Sequence, residues 1–254
     1  MIGLGCAAFS LDLADQPGRA RETIRAALDS GVRLLDTALV YTPAGEKNHN
    51  ERLLREFVSP SVTISTKGGH YRDGDSFPID GRPATLRAHC EASLRALGVD
   101  RIDLYHLHWP DPRVPIEESV GALAALRADG KIDRIGVSNV DLDRLRRARS
   151  VAPIAAVQNR LSVFEQTSLP LARHCAETGT AFLAYSPLRG SDAPAQLEAI
   201  AAAHGATPQQ IALAWLLALG VIPLVGATRP ASVRSAVDTA SISLTKDEIG
   251  ALTR

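Results

Sequence analysis

Cysteine is scarce in this chain of 254 residues. Cys6, Cys90 and Cys175 stand far apart, odd in number and without a CxxC pair. That argues against a disulfide framework and against the common thiolate metal and redox motifs, and it fits reduced thiols in a cytoplasmic protein. Net charge is lacking too, with 28 basic residues against 28 acidic. No electrostatic footprint for nucleic acid or for an anionic membrane follows from such a balance. The densest basic cluster, Arg144, Arg146, Arg147 and Arg149, is interleaved with Leu145 and Ala148 and reads as a solvated helix face. Hydrophobic runs long enough to span a membrane are also wanting. The nearest approach, residues 211–227, is broken by Gly220 and Pro223 and has no companion span, so it reads as a buried helix and then a buried strand. The opening "MIGLGCAAFS" has no basic n-region and is a poor signal peptide.

What is present is alternation. Hydrophobic content of 45% and charged content of 22% suit a folded chain with a large core. Strand-like runs "MIGLGCA", "RLLDTA", "VTISTK", "IDLYHLHW", "IDRIGVSN", "IAAVQN", "AFLAYSPL" and "VIPLVGAT" alternate with helical patterns. Asn50 is placed to cap "NERLLREF", and Gly98 and Gly130 close "PATLRAHCEASLRALG" and "IEESVGALAALRADG". A helical pair spans residues 196–219, and "ASVRSAVDTA" is the last helix expected. About eight such units predict a parallel sheet closed into a single-domain α/β (β/α)8 TIM barrel over residues 1–254. An open doubly wound sheet is the alternative, but the unit count is high and no GxGxxG follows the first strand.

In a barrel of this kind, function gathers at the C-terminal ends of the strands. Three consecutive strand candidates end on ionisable groups, Asp36 in "LLD", Lys67 in "TISTK" and His108 in "LYHLH", with Tyr41 in the loop beyond the first. Neighbouring strands lie about 4.8 Å apart, so these side chains can converge. A lysine beside a phenol lowers its proton affinity, a carboxylate keeps the ammonium charged, and a histidine can orient a carbonyl oxygen. The set describes a tuned general acid for an oxygen that receives hydride. A structural Asp–Lys pair is the competing reading. His106, two residues before His108 and on the same face, reads as a satisfied core histidine.

The stretches "LLDTALVY", "HNERLL", "ISTKGG", "SLRALGVDRIDLYHLHWPD", "GKIDRIGVSN", "AVQNRLS" and "LAYSPLRG" resemble the aldo-keto reductase family from end to end and in the family's order. The resemblance implies a TIM barrel that reduces carbonyls with NADPH or NADH, without metal. It implies a catalytic tetrad of Asp36, Tyr41, Lys67 and His108, with Tyr41 as general acid, Lys67 tuning it, Asp36 holding Lys67 and His108 orienting the substrate.

The same resemblance places Ser138, Asn139 and Gln158 around the nicotinamide carboxamide, Tyr185 on the ring face, and Ser186, Leu188 and Gly190 near the pyrophosphate. Competing readings are a helix cap for Ser138 and Asn139 and an ordinary core aromatic for Tyr185. In "LVGATRPASVRSA" the chain departs from the basic residue and serine that many relatives carry, having Gly226 and Ala227 there; Ser232 and Ala236 stand at the usual arginine and asparagine positions. Arg229, with Arg234 in reserve, is the expected cation for a 2′-phosphate, which favours NADP(H) and leaves NAD(H) open. Trp109, Tyr71 and Phe77 are candidates to line the substrate pocket, with surface decoration as the alternative for the last two. The chain stops soon after "SLTKDEIGALTR", so no long C-terminal loop is expected over the pocket, and "GGHYRDGDSFPIDGRP" is the candidate lid. The expected partner is a small carbonyl compound, with no nucleic acid or membrane, and a monomer is the simplest assembly. A non-catalytic nicotinamide-binding sensor or subunit, and a barrel lyase using Lys67 as a Schiff-base amine, are the rival readings.

Overall fold

A computed structural model describes residues 1–190 and 194–253. Eight parallel strands, β1 (Gly3–Gly5), β2 (Leu34–Asp36), β3 (Thr63–Gly68), β4 (Ile102–Leu107), β5 (Ile132–Ser138), β6 (Ala156–Arg160), β7 (Ala181–Tyr185) and β8 (Ile222–Val225), follow one another round a closed barrel. Closure is made by β8 on β1, with Gly3 opposite Leu224 and Leu4 opposite Val225. Helices pack outside, including Pro17–Asp29, Pro83–Leu97, Ile116–Ala128, Pro208–Ala218 and Pro230–Asp238. Each of these five starts on or beside a proline, which fits the first helical turn because that turn has no partner for its N–H groups. The (β/α)8 barrel expected from the alternation is the fold observed.

Strand alternation explains the interior. Leu34, Leu104, Ala156, Leu183 and Leu224 form an apolar plug inside the barrel. Two residues further along four of those strands, and hence on the same face one step nearer the C-terminal mouth, stand Asp36, His106, Gln158 and Tyr185. A greasy floor therefore carries a polar layer. The much larger second core lies between the strands and the helices and includes Trp215, Tyr105, Phe9 and Phe182.

Besides the short turn Ala8–Leu11, two helices lie where the sequence pattern named none, Pro17–Asp29 and Lys246–Leu252. The second carries a readable signal, since Thr245 and Glu248 form a capping box, each side chain bonding the other's backbone N–H. Asn50 does not cap its helix. His49–Leu54 begins after Asn48, which has φ 53°, while Asn50 is buried within the helix. Its amide is better used elsewhere: Nδ2 donates to the Cys6 carbonyl at 2.8 Å and to Ser10 Oγ at 2.7 Å, and Oδ1 accepts from Thr37 Oγ1 at 2.6 Å. The basic cluster on Leu142–Arg149 is a helix face as expected, with Leu145 and Ala148 buried, and it is largely paired, Arg144 with Asp141 and Arg147 with Glu117.

Candidate active site

Asp36 ends β2 and faces inward, almost wholly buried. Its Oδ2 accepts from Lys67 Nζ at 2.7 Å, and its Oδ1 accepts from Ser65 Oγ and from Gln158 Nε2, both at 2.8 Å. Ser65 and Lys67 alternate on the inner face of β3, whereas Gln158 reaches across from β6. Lys67 Nζ has a second acceptor in the Thr37 carbonyl at 2.6 Å. Burial works against this ammonium; the field of Asp36 and its hydrogen bond offset it, and Lys67 is held above its ordinary range.

Tyr41 sits in the loop after β2, which is pinned on both sides. Tyr41 N–H donates to the Ala38 carbonyl at 3.0 Å, and its own carbonyl accepts from Asn50 N–H at 3.2 Å. The phenol ring lies 5.4 Å from Lys67 Nζ and meets the His108 ring edge-on at 6.0 Å. Burial pushes the phenol above its ordinary range, and the Lys67 ammonium opposes this without overcoming it. The ammonium thus acts on the phenol in the expected direction, and the desolvation cost of a phenolate at this depth is larger still.

His108 lies one residue past β4, its N–H still on the ladder to the Gly68 carbonyl at 2.9 Å. Burial, then the nearby Lys67 charge, holds its imidazole well below the ordinary histidine range, so it is neutral at pH 7. Its Nδ1 is buried without a partner, and the His70 ring stands 5.0 Å away. His106 is buried deeper, as expected, but it is not satisfied. Both ring nitrogens lack a hydrogen bond, the Val137 backbone being near but out of bonding geometry, and burial drops its pKa to about 3. The ring fits because β5 offers Gly136 beside it, where a Cβ would come within 2.2 Å of Nδ1.

A cleft of about 1230 Å³ opens above this layer. It is lined by Asp36, Tyr41, His108, Trp109, Ser138, Asn139, Gln158, Tyr185, Ser186, Leu188, Gly226 and Arg229, among others. Tyr71 and Phe77 are not among its lining residues. Tyr71 packs edge-on against His89 at 5.4 Å, and the half-exposed Phe77 stacks with Arg72. Their loop is a small hairpin, bridged at His70–Ile79 and Asp73–Ser76. The cap of Leu142–Arg149 is Asp141, whose carboxylate accepts from Arg144 N–H at 2.7 Å, so Ser138 and Asn139 have no capping task. Asn139, at φ 59°, instead donates to the His108 carbonyl at 3.0 Å and accepts from Tyr185 Oη at 2.7 Å. Gly190 approaches the turn after β6 so closely that a Cβ would lie 2.3 Å from Phe164 Cβ.

Sequence reasoning missed Ser65, Asn50 and the Gln158–Asp36 bond. The i, i+2 spacing of Ser65 and Lys67 was an available signal for the first; a bond between β2 and β6 has none. Among the described residues no cluster of histidine, cysteine and acidic side chains could hold a metal, and no helix is long and apolar enough to cross a membrane.

Comparison with known proteins agrees with this geometry. The model of the aldo/keto reductase family matches residues 1–254. "Probable aldo-keto reductase 1" of Glycine max is 31% identical, over 98% of this chain and 83% of its own length. The glycerol dehydrogenase of Gluconobacter oxydans superposes with a TM-score of 0.85 at 30% identity, covering 99% of this chain and 89% of that one. An aldo-keto reductase of Klebsiella pneumoniae, solved with NADPH, gives 0.82 at 26% identity over 99% and 89%. With the whole chain matched and the barrel shared, this protein belongs to the aldo/keto reductase family.

Proposed function

We propose that the chain transfers hydride between NADPH and an aldehyde or ketone, with Tyr41 as general acid in reduction and general base in oxidation. The observation that carries this is the stack of Asp36, Lys67 and Tyr41: a fully engaged carboxylate, a buried ammonium and a phenol 5.4 Å from it, at the floor of an open cleft. The cleft suits the cofactor chemically. Ser138, Asn139 and Gln158 offer the donors and acceptors a carboxamide needs, and Tyr185 offers a flat ring held by Asn139. Ser186 and Leu188 line the cleft where the pyrophosphate would lie, and Gly190, which does not line it, would serve only by letting their loop pack close to Phe164. Gly226 leaves room beside Arg229, whose guanidinium favours NADP(H) over NAD(H) through the 2′-phosphate. NADPH supplies the hydride when bound.

The residues do the rest. His108, neutral at pH 7, hydrogen-bonds the substrate oxygen and orients it. Tyr41 gives its proton to that oxygen as negative charge develops there, and Lys67 stabilises the phenolate left behind. Because burial favours the protonated phenol, the proton that reduction needs is in place at neutral pH, and the proton-accepting role in oxidation gains as the pH rises. Trp109, partly exposed beside His108, walls the substrate side. Tyr71 and Phe77 stay in the proposal only as outer contacts of the loop rim.

The test compares wild type with Tyr41→Phe on a panel of aldehydes and ketones with NADPH. General acid catalysis contributes about 10²–10⁴-fold, so kcat/KM should fall at least a hundredfold while the NADPH Kd, read by fluorescence, stays unchanged. Cofactor binding with no turnover by the wild type on any carbonyl would instead support a non-catalytic nicotinamide-binding protein.

A further inference from the structure

Arg160 is the last residue of β6, two positions beyond Gln158. Alternation puts both on the same face, with Arg160 about 6.6 Å nearer the mouth. It pairs in register with Tyr185 on β7, and its guanidinium lies 5.9 Å from the centre of that ring. It is exposed and lines the cleft that holds Tyr41, His108 and Trp109. Tyr185 is itself fixed, through Asn139, to the carbonyl of His108. The arginine therefore sits on a hydrogen-bonded chain of side chains that begins at the catalytic strand end.

What this cation lacks is an anion. Among the described residues no carboxylate comes within ion-pair distance of it. Glu165 is the nearby acid that acts on Tyr185, yet its Oε1 is engaged by the Thr167 N–H at 2.9 Å. Asp36, in the same cleft, is saturated by Lys67, Ser65 and Gln158. The other cations of the rim, Arg189 and Arg229, belong to the loops after β7 and β8, on the side proposed for the cofactor phosphates. The guanidinium stands 5.9 Å from the Tyr185 ring centre and hydrogen-bonds its hydroxyl, and its other N–H groups are left for a planar anion, one unit of charge matching one carboxylate.

We infer that Arg160 is a specificity-determining residue that receives the carboxylate of the substrate, so that the preferred substrates are carbonyl compounds carrying a carboxylate beyond an apolar body seated near Trp109. This rests on the carbonyl-reductase reading above. Reduction leaves the carboxylate untouched; it anchors the far end while the carbonyl oxygen meets Tyr41 and His108.

The experiment compares kcat/KM for 4-formylbenzoate and for its methyl ester, with NADPH, in wild type and in Arg160→Met, Arg160→Lys and Arg160→Glu. The wild type should prefer the acid at least tenfold, mainly through KM. Arg160→Met should erase that preference, Arg160→Lys should keep part of it, and Arg160→Glu should reverse it. Benzoate should inhibit the wild type and lose at least tenfold in Ki against Arg160→Met. An acid-to-ester ratio that is the same in wild type and Arg160→Met overturns the inference and leaves the reductase reading intact. So does an NADPH Kd that weakens in Arg160→Met as much as turnover of the acid falls, because the arginine would then serve the cofactor. If the wild type binds NADPH but turns over neither compound, nor any member of the wider carbonyl panel, both readings fall together.

Discussion

Asp36 shows what a single carboxylate does at the floor of this cleft. Three donors surround it, and Lys67 is buried against one of its oxygens. Lys67→Met keeps the length and apolar body of the side chain but leaves Asp36 buried without its counter-ion. Removing one partner of a buried pair costs about 3–5 kcal/mol. A drop of that size in urea-unfolding free energy is expected, together with loss of carbonyl reduction. Asp36→Asn with Lys67→Met should recover much of the stability and none of the activity, because two neutral groups no longer need each other. An additive loss in the double variant would show that the pair is not coupled.

Strand ends were legible in the sequence because each is an apolar run that stops on a charge, and a buried strand tolerates a charge only where a site or a partner receives it. Asp36, Lys67 and His108 follow from that rule alone. What one strand does to the next was not legible. Gln158 meeting Asp36 across the barrel, or Asn139 joining Tyr185 to the His108 carbonyl, depends on register and on backbone turns such as the φ 59° of Asn139. Asn50 misled for the opposite reason: its position before a helical run suits a cap, but a buried contact with Thr37, Cys6 and Ser10 claims the amide. Between β4 and β5 the register is a steric fit of His106 to Gly136. Gly136→Ala would put a methyl 2.2 Å from Nδ1 and should cost about 1–3 kcal/mol, as overpacking does. Combined with His106→Ser the penalty should largely vanish, and a thermodynamic cycle on the four proteins measures the coupling. Equal losses with and without His106 would place the strain elsewhere.

The whole molecule carries two buried histidines, His106 and His108, and two half-buried ones, His70 and His89, all shifted toward the neutral form. Burial lowers His106 to about 3 and depresses His70, His89 and His108 in the same direction. In the unfolded chain each would take up a proton near 6.5. Their contribution to stability is therefore complete above 6.5 and is lost as the pH falls below it, for His106 down to about 3, at up to about 1.4 kcal/mol per pH unit for each group that stays neutral in the fold. Asp111, lowered to about 2 by Arg113, adds to the loss only below its ordinary value of 3.8, whereas Glu51, raised by burial, acts in the opposite sense above its ordinary 4.5. The histidines should thus pull the melting temperature down between pH 6.5 and 4.5, against the opposing effect of Glu51, and His106→Leu should remove part of that pull. An unchanged slope in the variant would remove His106 from the account. One consequence of the Asp36 cluster belongs to this scale as well. Its three donors come from β3 and β6, so the groups proposed to tune the acid also tie β2 to its neighbour and to the far wall of the barrel. On the proposed mechanism catalytic competence and circular closure should then be lost together, and a heated population is expected to consist of fully active barrels and inactive open chains in changing proportion.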